Sequence, residues 1–174
     1  RDKLPLPLMA AVAALPPLAV DMYLPAIPQI ADDLQTSIGA IQNSLSIFLV
    51  GFGLGMLCFG PLSDRYGRRP LALFGLMGFG VSSLLLSLST TANLFLFFRL
   101  TQGFLGSAAS VVIPAMIRDC YGKDTAKGMS AVTMIMLVAP LLAPLMGSLV
   151  LSLAPWEGIF AALTCYPLVV LLFA

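Results

Sequence analysis

Apolar runs of about twenty residues alternate with short polar breaks along the whole chain, a length that spans a bilayer as helix. The runs fall at about 4–24, 40–62, 71–90, 94–116, 129–151 and 156–174. At about 1.5 Å of rise per residue, each can cross a hydrocarbon core of roughly 30 Å. A β-barrel would instead need alternating segments of about ten residues, and that alternation is not seen. The pattern predicts six membrane-spanning helices, with no soluble domain and no long linker. Leu4 to Val20 is apolar, with an acid just beyond and no small-residue cleavage site in the usual place, so the first run reads as a mature span, not a signal peptide.

Composition agrees with the pattern. Of 174 residues, 59% are hydrophobic and only 10% are charged, against about 25% charged in a typical soluble domain. The expected class is an all-α integral membrane protein built as a six-helix bundle in a lipid bilayer. The chain has no histidine, and Cys58, Cys120 and Cys165 are scattered. That argues against a zinc site or redox pair, and the cysteines read as buried small apolar residues. With no histidine, proton chemistry must fall to carboxylates. No metal-ligand cluster, no phosphate-binding glycine loop with lysine and no other enzyme constellation is visible, so no catalytic residue, metal or cofactor is expected. Neither is a nucleic-acid partner.

The few charges orient the spans. Arg1 and Lys3 precede the first run, Arg65, Arg68 and Arg69 follow the second, and Arg118, Lys123 and Lys127 follow the fourth. The opposite loops carry Asp32, Asp33 and Glu157 and no lysine or arginine. Basic loops stay on the cytoplasmic side, which predicts a cytoplasmic amino terminus. The sixth run stops at Ala174 without a basic flank, so the six helices read as half of a larger bundle.

Two charges fall inside spans. Asp21 lies roughly 25 Å along the first span, and Arg99 enters the fourth from the other side at a similar depth. Ionisable groups within a membrane pair with one another or face water. Asp21 and Arg99 are therefore expected to face each other across a polar cavity. The alternatives are a static pair that fixes helix packing, or an Asp21 placed at the outer headgroups. Arg99, Gln102, Gly103, Gly106 and Ser110 share one helical face. Tyr23, Gln42, Ser46 and the Met134–Met136 region complete the candidate cavity wall, since flexible methionines suit a permissive pocket. Small residues mark helix contacts in lipid: Gly51 and Gly55 in the second span, and Ala139, Ala143 and Gly147 on one face of the fifth. Pro140 and Pro144, beside that face, each remove a backbone hydrogen bond and are expected to bend or loosen the helix.

The stretch Gly60-Pro-Leu-Ser-Asp-Arg-Tyr-Gly-Arg-Arg-Pro70 reads as a charged turn at a membrane surface. It resembles the signature loop between helices two and three of the major facilitator superfamily. Asp21-Met-Tyr-Leu-Pro-Ala-Ile-Pro28, Arg99-Leu-Thr-Gln-Gly103 with Gly106, and Ala139-Pro-Leu-Leu-Ala-Pro-Leu-Met-Gly147 resemble motifs of its bicyclomycin-resistance drug:proton antiporters. In the last, alanine stands where the general pattern prefers glycine. The resemblance covers essentially the whole chain. It implies the amino-terminal half of a twelve-helix fold, with each half made of inverted three-helix repeats. It further implies a cytoplasmic gate made of Gly60, Asp64, Arg65, Gly67, Arg68, Arg69 and Asp119. There, Arg68 would pair with Asp119, and Asp64 would approach the carboxy-terminal half. The antiporter motif would be Ala139, Pro140, Ala143, Pro144 and Gly147. The implied activity is not enzymatic: it is efflux of small, partly hydrophobic drugs across the bacterial inner membrane, driven by the proton gradient through Asp21 and Arg99. Proton-coupled transport of a metabolite such as a nucleoside is one alternative. A non-transporting half that pairs with another chain is the other.

Overall fold

The computed structural model describes residues 6–173. Arg1, Lys3 and the first and last positions of the outermost spans fall outside them. The described chain is helical, in the order α1 (Leu6–Asp21), a turn of 3-10 helix (Leu24–Ala26), α2 (Ile27–Asp33), α3 (Ile38–Tyr66), α4 (Arg68–Ser87) and α5 (Ala92–Tyr121). A second 3-10 turn (Gly122–Asp124), α6 (Thr125–Leu153) and α7 (Glu157–Leu172) follow. Leu6–Asp33, Ile38–Tyr66, Arg68–Ser87 and the stretch Ala92–Leu153, which holds both α5 and α6, are long and apolar enough to cross a membrane. Glu157–Leu172 is apolar and shorter.

Where the chain breaks follows from a few residues. Pro25 has no N–H for the Asp21 carbonyl and disfavours helix at Leu24, so α1 ends at Asp21, short of the expected Leu24. Pro28 then falls in the first turn of α2, where a missing N–H costs nothing. Ser37 and Thr91 cap α3 and α5 by accepting from the amides of Ala40 and Leu94. The charged stretch expected as a turn over 60–70 is almost wholly helical. It contains the end of α3 and the start of α4, and the reversal is confined to Gly67, at φ 93° and ψ 154°. That backbone region is open essentially to glycine alone. A bilayer-facing backbone keeps its hydrogen bonds inside helices, which is why the helices run past the apolar runs into the polar ends.

α5 is the centre of the bundle, packed along α3 and α4 and touching α1, while α1 packs against α6 and α7. Exchanging α1, α3 and α4 for α5, α6 and α7 turns the first set of contacts into the second, as two inverted three-helix repeats require. Missing side chains allow the closest approaches. A Cβ on Gly51 would lie 2.3 Å from the Leu100 carbonyl oxygen, one on Gly103 2.2 Å from that of Phe48, and one on Gly75 2.3 Å from the Ala109 nitrogen. The α6 face of Ala139, Ala143 and Gly147 is buried against α1, where a Cβ on Gly147 would meet the Met22 carbonyl oxygen at 1.9 Å.

The rest of α6 is apolar and exposed, from Met134 through Leu142 to Leu149. Cys58 and Cys165 are exposed too, and Cys120 is half-buried, contrary to the expectation of buried cysteines. In a bundle that spans lipid, apolar side chains need not turn inward.

Candidate functional site

The polar centre forms where α1 breaks. Carbonyls in the last turn of a helix lose their own amide partners and carry partial negative charge. Arg99 of α5 exploits this: its Nη1 donates to the Ala19 carbonyl at 3.0 Å and to Gln102 Oε1 at 2.8 Å. The guanidinium is fully buried. The Tyr23 ring covers it at 4.3 Å from the centroid, and the Phe48 ring at 4.8 Å. Desolvated cation–π contacts of this kind contribute about 2 kcal/mol each, which offsets part of the cost of burying a charge. Arg99 Nε and Nη2 have no hydrogen-bond partner among the described residues. Gln102 in turn donates to Ser83 Oγ of α4 at 2.8 Å, and the Tyr23 hydroxyl bonds Ser44 Oγ of α3 at 2.9 Å. Four helices thus meet on one cation.

Asp21 is not among its partners. No ion pair joins Asp21 to Arg99, and the Asp21 carboxylate has no hydrogen bond among the described residues. The two sequence positions are close in depth but differ in direction. Arg99 turns inward to Ala19, two residues before Asp21, whereas Asp21 is partly accessible, as is Pro17 one turn earlier, and Leu24 and Pro25 beyond the break are exposed. The expected facing pair is therefore replaced by a caged arginine and a separate, half-buried carboxylate. The expected cavity wall divides in the same way. Tyr23 and Gln102 are fully buried in the packed centre, so neither lines an open cavity. Gln42 and Ser46 are exposed on α3, and Met134 and Met136 on α6. Ser110 is half-buried and returns its hydroxyl to the Gly106 carbonyl of its own helix.

At the basic end, the Gly67 reversal aims Arg68 across at α5. Arg68 Nη1 forms an ion pair with Asp119 and donates to the Ala115 carbonyl at 2.7 Å. This joins the α3–α4 turn to the end of α5, beside the Arg118, Lys123 and Lys127 cluster. Asp64 and Arg65 are exposed, Gly60 and Arg69 half-buried. Asp64, Arg68, Arg69, Asp119 and Cys120 line a cavity of about 650 Å³. At the other end, Trp156 Nε1 donates to Asp33 Oδ2 at 2.7 Å, tying α7 to α2. In α6, helix continues through Pro140 and Pro144 from Thr125 to Leu153, although each proline deprives a carbonyl four residues earlier of its donor.

A family model of the Major Facilitator Superfamily matches residues 9–174. The chain belongs to that superfamily. It is 37% identical over 153 residues to a bicyclomycin resistance protein homolog of Haemophilus influenzae, covering 87% of this chain and 38% of that protein. It is 40% identical over 158 residues to a chloramphenicol resistance protein of Pseudomonas aeruginosa, covering 90% and 38%. To the multidrug resistance protein MdtL of Escherichia coli it is 36% identical over 163 residues, covering 93% and 42%. The chain thus spans about two fifths of the length of these curated relatives. It is a multi-pass membrane protein and represents one six-helix half of the superfamily fold.

Within this superfamily half, Ser83, Ser44 and the Ala19 carbonyl escaped the sequence reading. A backbone carbonyl has no residue signature. The two serines stand among many others and are singled out only by helix contacts. Phe48 lies four residues after Ser44 on α3 and shares its face, and it escaped for the same reason.

Proposed function

We propose that the intact protein to which this chain belongs expels small, partly hydrophobic drugs across the bacterial inner membrane in exchange for protons, by alternating access. The observation that carries the reading is the Asp21 carboxylate, which is half-buried and without a partner on the accessible face of α1. A group so placed can take a proton from one side and release it to the other when a second six-helix half rocks against the first. The relatives' names, bicyclomycin resistance, chloramphenicol resistance and multidrug resistance, support drugs as the cargo. Coupling requires the two protonation states to favour different conformations. Asp21 is adjacent to Met22, whose carbonyl packs on Gly147 of α6, so a charge change at Asp21 bears directly on the α1–α6 contact. Arg99 acts as a fixed positive charge beneath it, held by the cage. The Arg68–Asp119 pair acts as the cytoplasmic latch, with Asp64 and Arg65 presented towards the second half and the amino terminus on the cytoplasmic side.

The test is transport of chloramphenicol and bicyclomycin by the intact protein in proteoliposomes with an imposed pH gradient, beside Asp21→Asn. The expected result is gradient-driven accumulation that the substitution abolishes, while counterflow without a gradient persists. If Asp21→Asn accumulates drug as the parent does, Asp21 is not the coupling carboxylate. If neither protein moves these or any of a broad panel of drugs, transport of a metabolite becomes the better reading.

A further inference from the structure

We infer that Ser83, on α4, is the positioning residue that fixes the stance of Arg99, acting through Gln102. The reasoning is one of hydrogen count. A serine hydroxyl has a single hydrogen, and that of Ser83 is committed to the Phe79 carbonyl at 2.8 Å. Towards Gln102, Ser83 Oγ can therefore only accept. It receives the Gln102 Nε2 hydrogen at 2.8 Å, which turns the other end of the amide, Oε1, to Arg99 Nη1 at 2.8 Å. The direction of the chain is set from α4 outward: the Phe79 carbonyl orders Ser83, Ser83 orders Gln102, and Gln102 orders Arg99. Ser83, Gln102 and Arg99 are all fully buried, so bulk water does not reach the links. Without Ser83 Oγ, a buried NH2 loses its acceptor, and nothing in this chain of bonds then holds Gln102 Oε1 towards Arg99.

The consequence is mechanical. Arg99 touches α1 through Ala19 and Tyr23 and α3 through Phe48. Ser83 adds α4, which packs on both α5 and α7. A shift of α4 along α5 would thus be read at the cation beside the α1 break. The effect on coupling rests on the proposal that Arg99 belongs to the proton-coupling centre; the placement of Arg99 by Ser83 does not.

The experiment uses the intact protein labelled with 15N-arginine, following hydrogen exchange of the Arg99 Nη1 hydrogens by NMR and assigning the signal by its loss in Arg99→Lys. Ser83→Ala is expected to accelerate exchange roughly fivefold, the factor that matches one net buried hydrogen bond. In a Gln102→Leu background, Ser83→Ala should add nothing. Ser82→Ala removes a neighbouring buried hydroxyl and should leave exchange unchanged. Unchanged exchange in Ser83→Ala overturns the inference, as does an equal acceleration in the Gln102→Leu background or in Ser82→Ala, since either means general loosening of α4. The same variants are then run in chloramphenicol efflux as a function of pH. A displaced profile for Ser83→Ala extends the positioning to coupling. Faster exchange with an unmoved profile leaves Ser83 as the positioning residue and shows that this positioning does not reach the coupling step.

Discussion

At the scale of single residues, this bundle is decided by where side chains are missing. Gly55 of α3 approaches α5 so closely that a Cβ would lie 2.1 Å from Ser107 Oγ and 2.5 Å from the Phe104 carbonyl oxygen. A serine can rotate, but a helix backbone can give way only by separating the helices. Gly55→Ala is therefore expected to destabilise by about 1–3 kcal/mol, as overpacking of a close interface does. Gly39 lies on the same helix with its nearest neighbour 4.0 Å away, and Gly39→Ala should be neutral or slightly stabilising. Thermal unfolding of the two variants in detergent checks this; equal melting temperatures would mean that the α3–α5 contact is not close-packed. The glycines of this contact were legible in the sequence because their spacing, i and i+4, is itself the signal. Arg99 was legible only as a charge needing a partner. Its actual partner is a carbonyl exposed by the break after Asp21, and carbonyls exist at every position, so nothing in the sequence selects Ala19.

At the scale of elements, the Gly67 reversal shows how a short pattern can be read correctly in content and wrongly in shape. Its charges and its place at one end of the bundle were evident from Asp64, Arg65, Arg68 and Arg69. That α3 continues through Pro61 to Tyr66 was not evident, because glycine and proline at positions 60 and 61 look like punctuation. The helical form matters, since it holds Arg68 one residue past a fixed turn and aims it at Asp119. Arg68 is 26% exposed and Asp119 61%, so the pair contributes under about 1 kcal/mol to stability. Under the proposed mechanism its role lies in the rocking of the halves. Arg68→Asp and Asp119→Arg should each leave the melting temperature nearly unchanged and slow chloramphenicol efflux. The double exchange should recover part of the rate, and only part, because the bond from Arg68 to the Ala115 carbonyl stays lost. Efflux that does not recover in the double variant would mean that the two residues act separately.

At the scale of the whole molecule, the described charges other than Asp21 and Arg99 lie at the two ends of the bundle. The Arg68–Asp119 contact brings together the ends that carry Arg65, Arg69, Arg118, Lys123 and Lys127. The Trp156–Asp33 bond brings together the end that carries Asp32, Asp33 and Glu157. The sequence revealed this segregation as alternate basic and acidic loops, because membrane helices fix which loops share a side, whatever the packing between them. The packing itself was beyond it, since apolar side chains such as those of Cys58, Leu141 and Leu149 gain nothing from facing inward in lipid. Retention of basic loops in the cytoplasm predicts the orientation of the bundle, and single cysteines can test it. In a background with Cys58, Cys120 and Cys165 replaced by serine, Asp32→Cys should react with a membrane-impermeant maleimide in intact cells with the outer membrane opened. Lys123→Cys should react only after the inner membrane is permeabilised. Both positions are exposed, so lack of reaction reports sidedness and not burial. The reverse pattern would turn the molecule over, placing the Arg68–Asp119 pair outside and Asp21 on the cytoplasmic side of the membrane centre, and the proposal that Asp21 takes a proton from outside would fall.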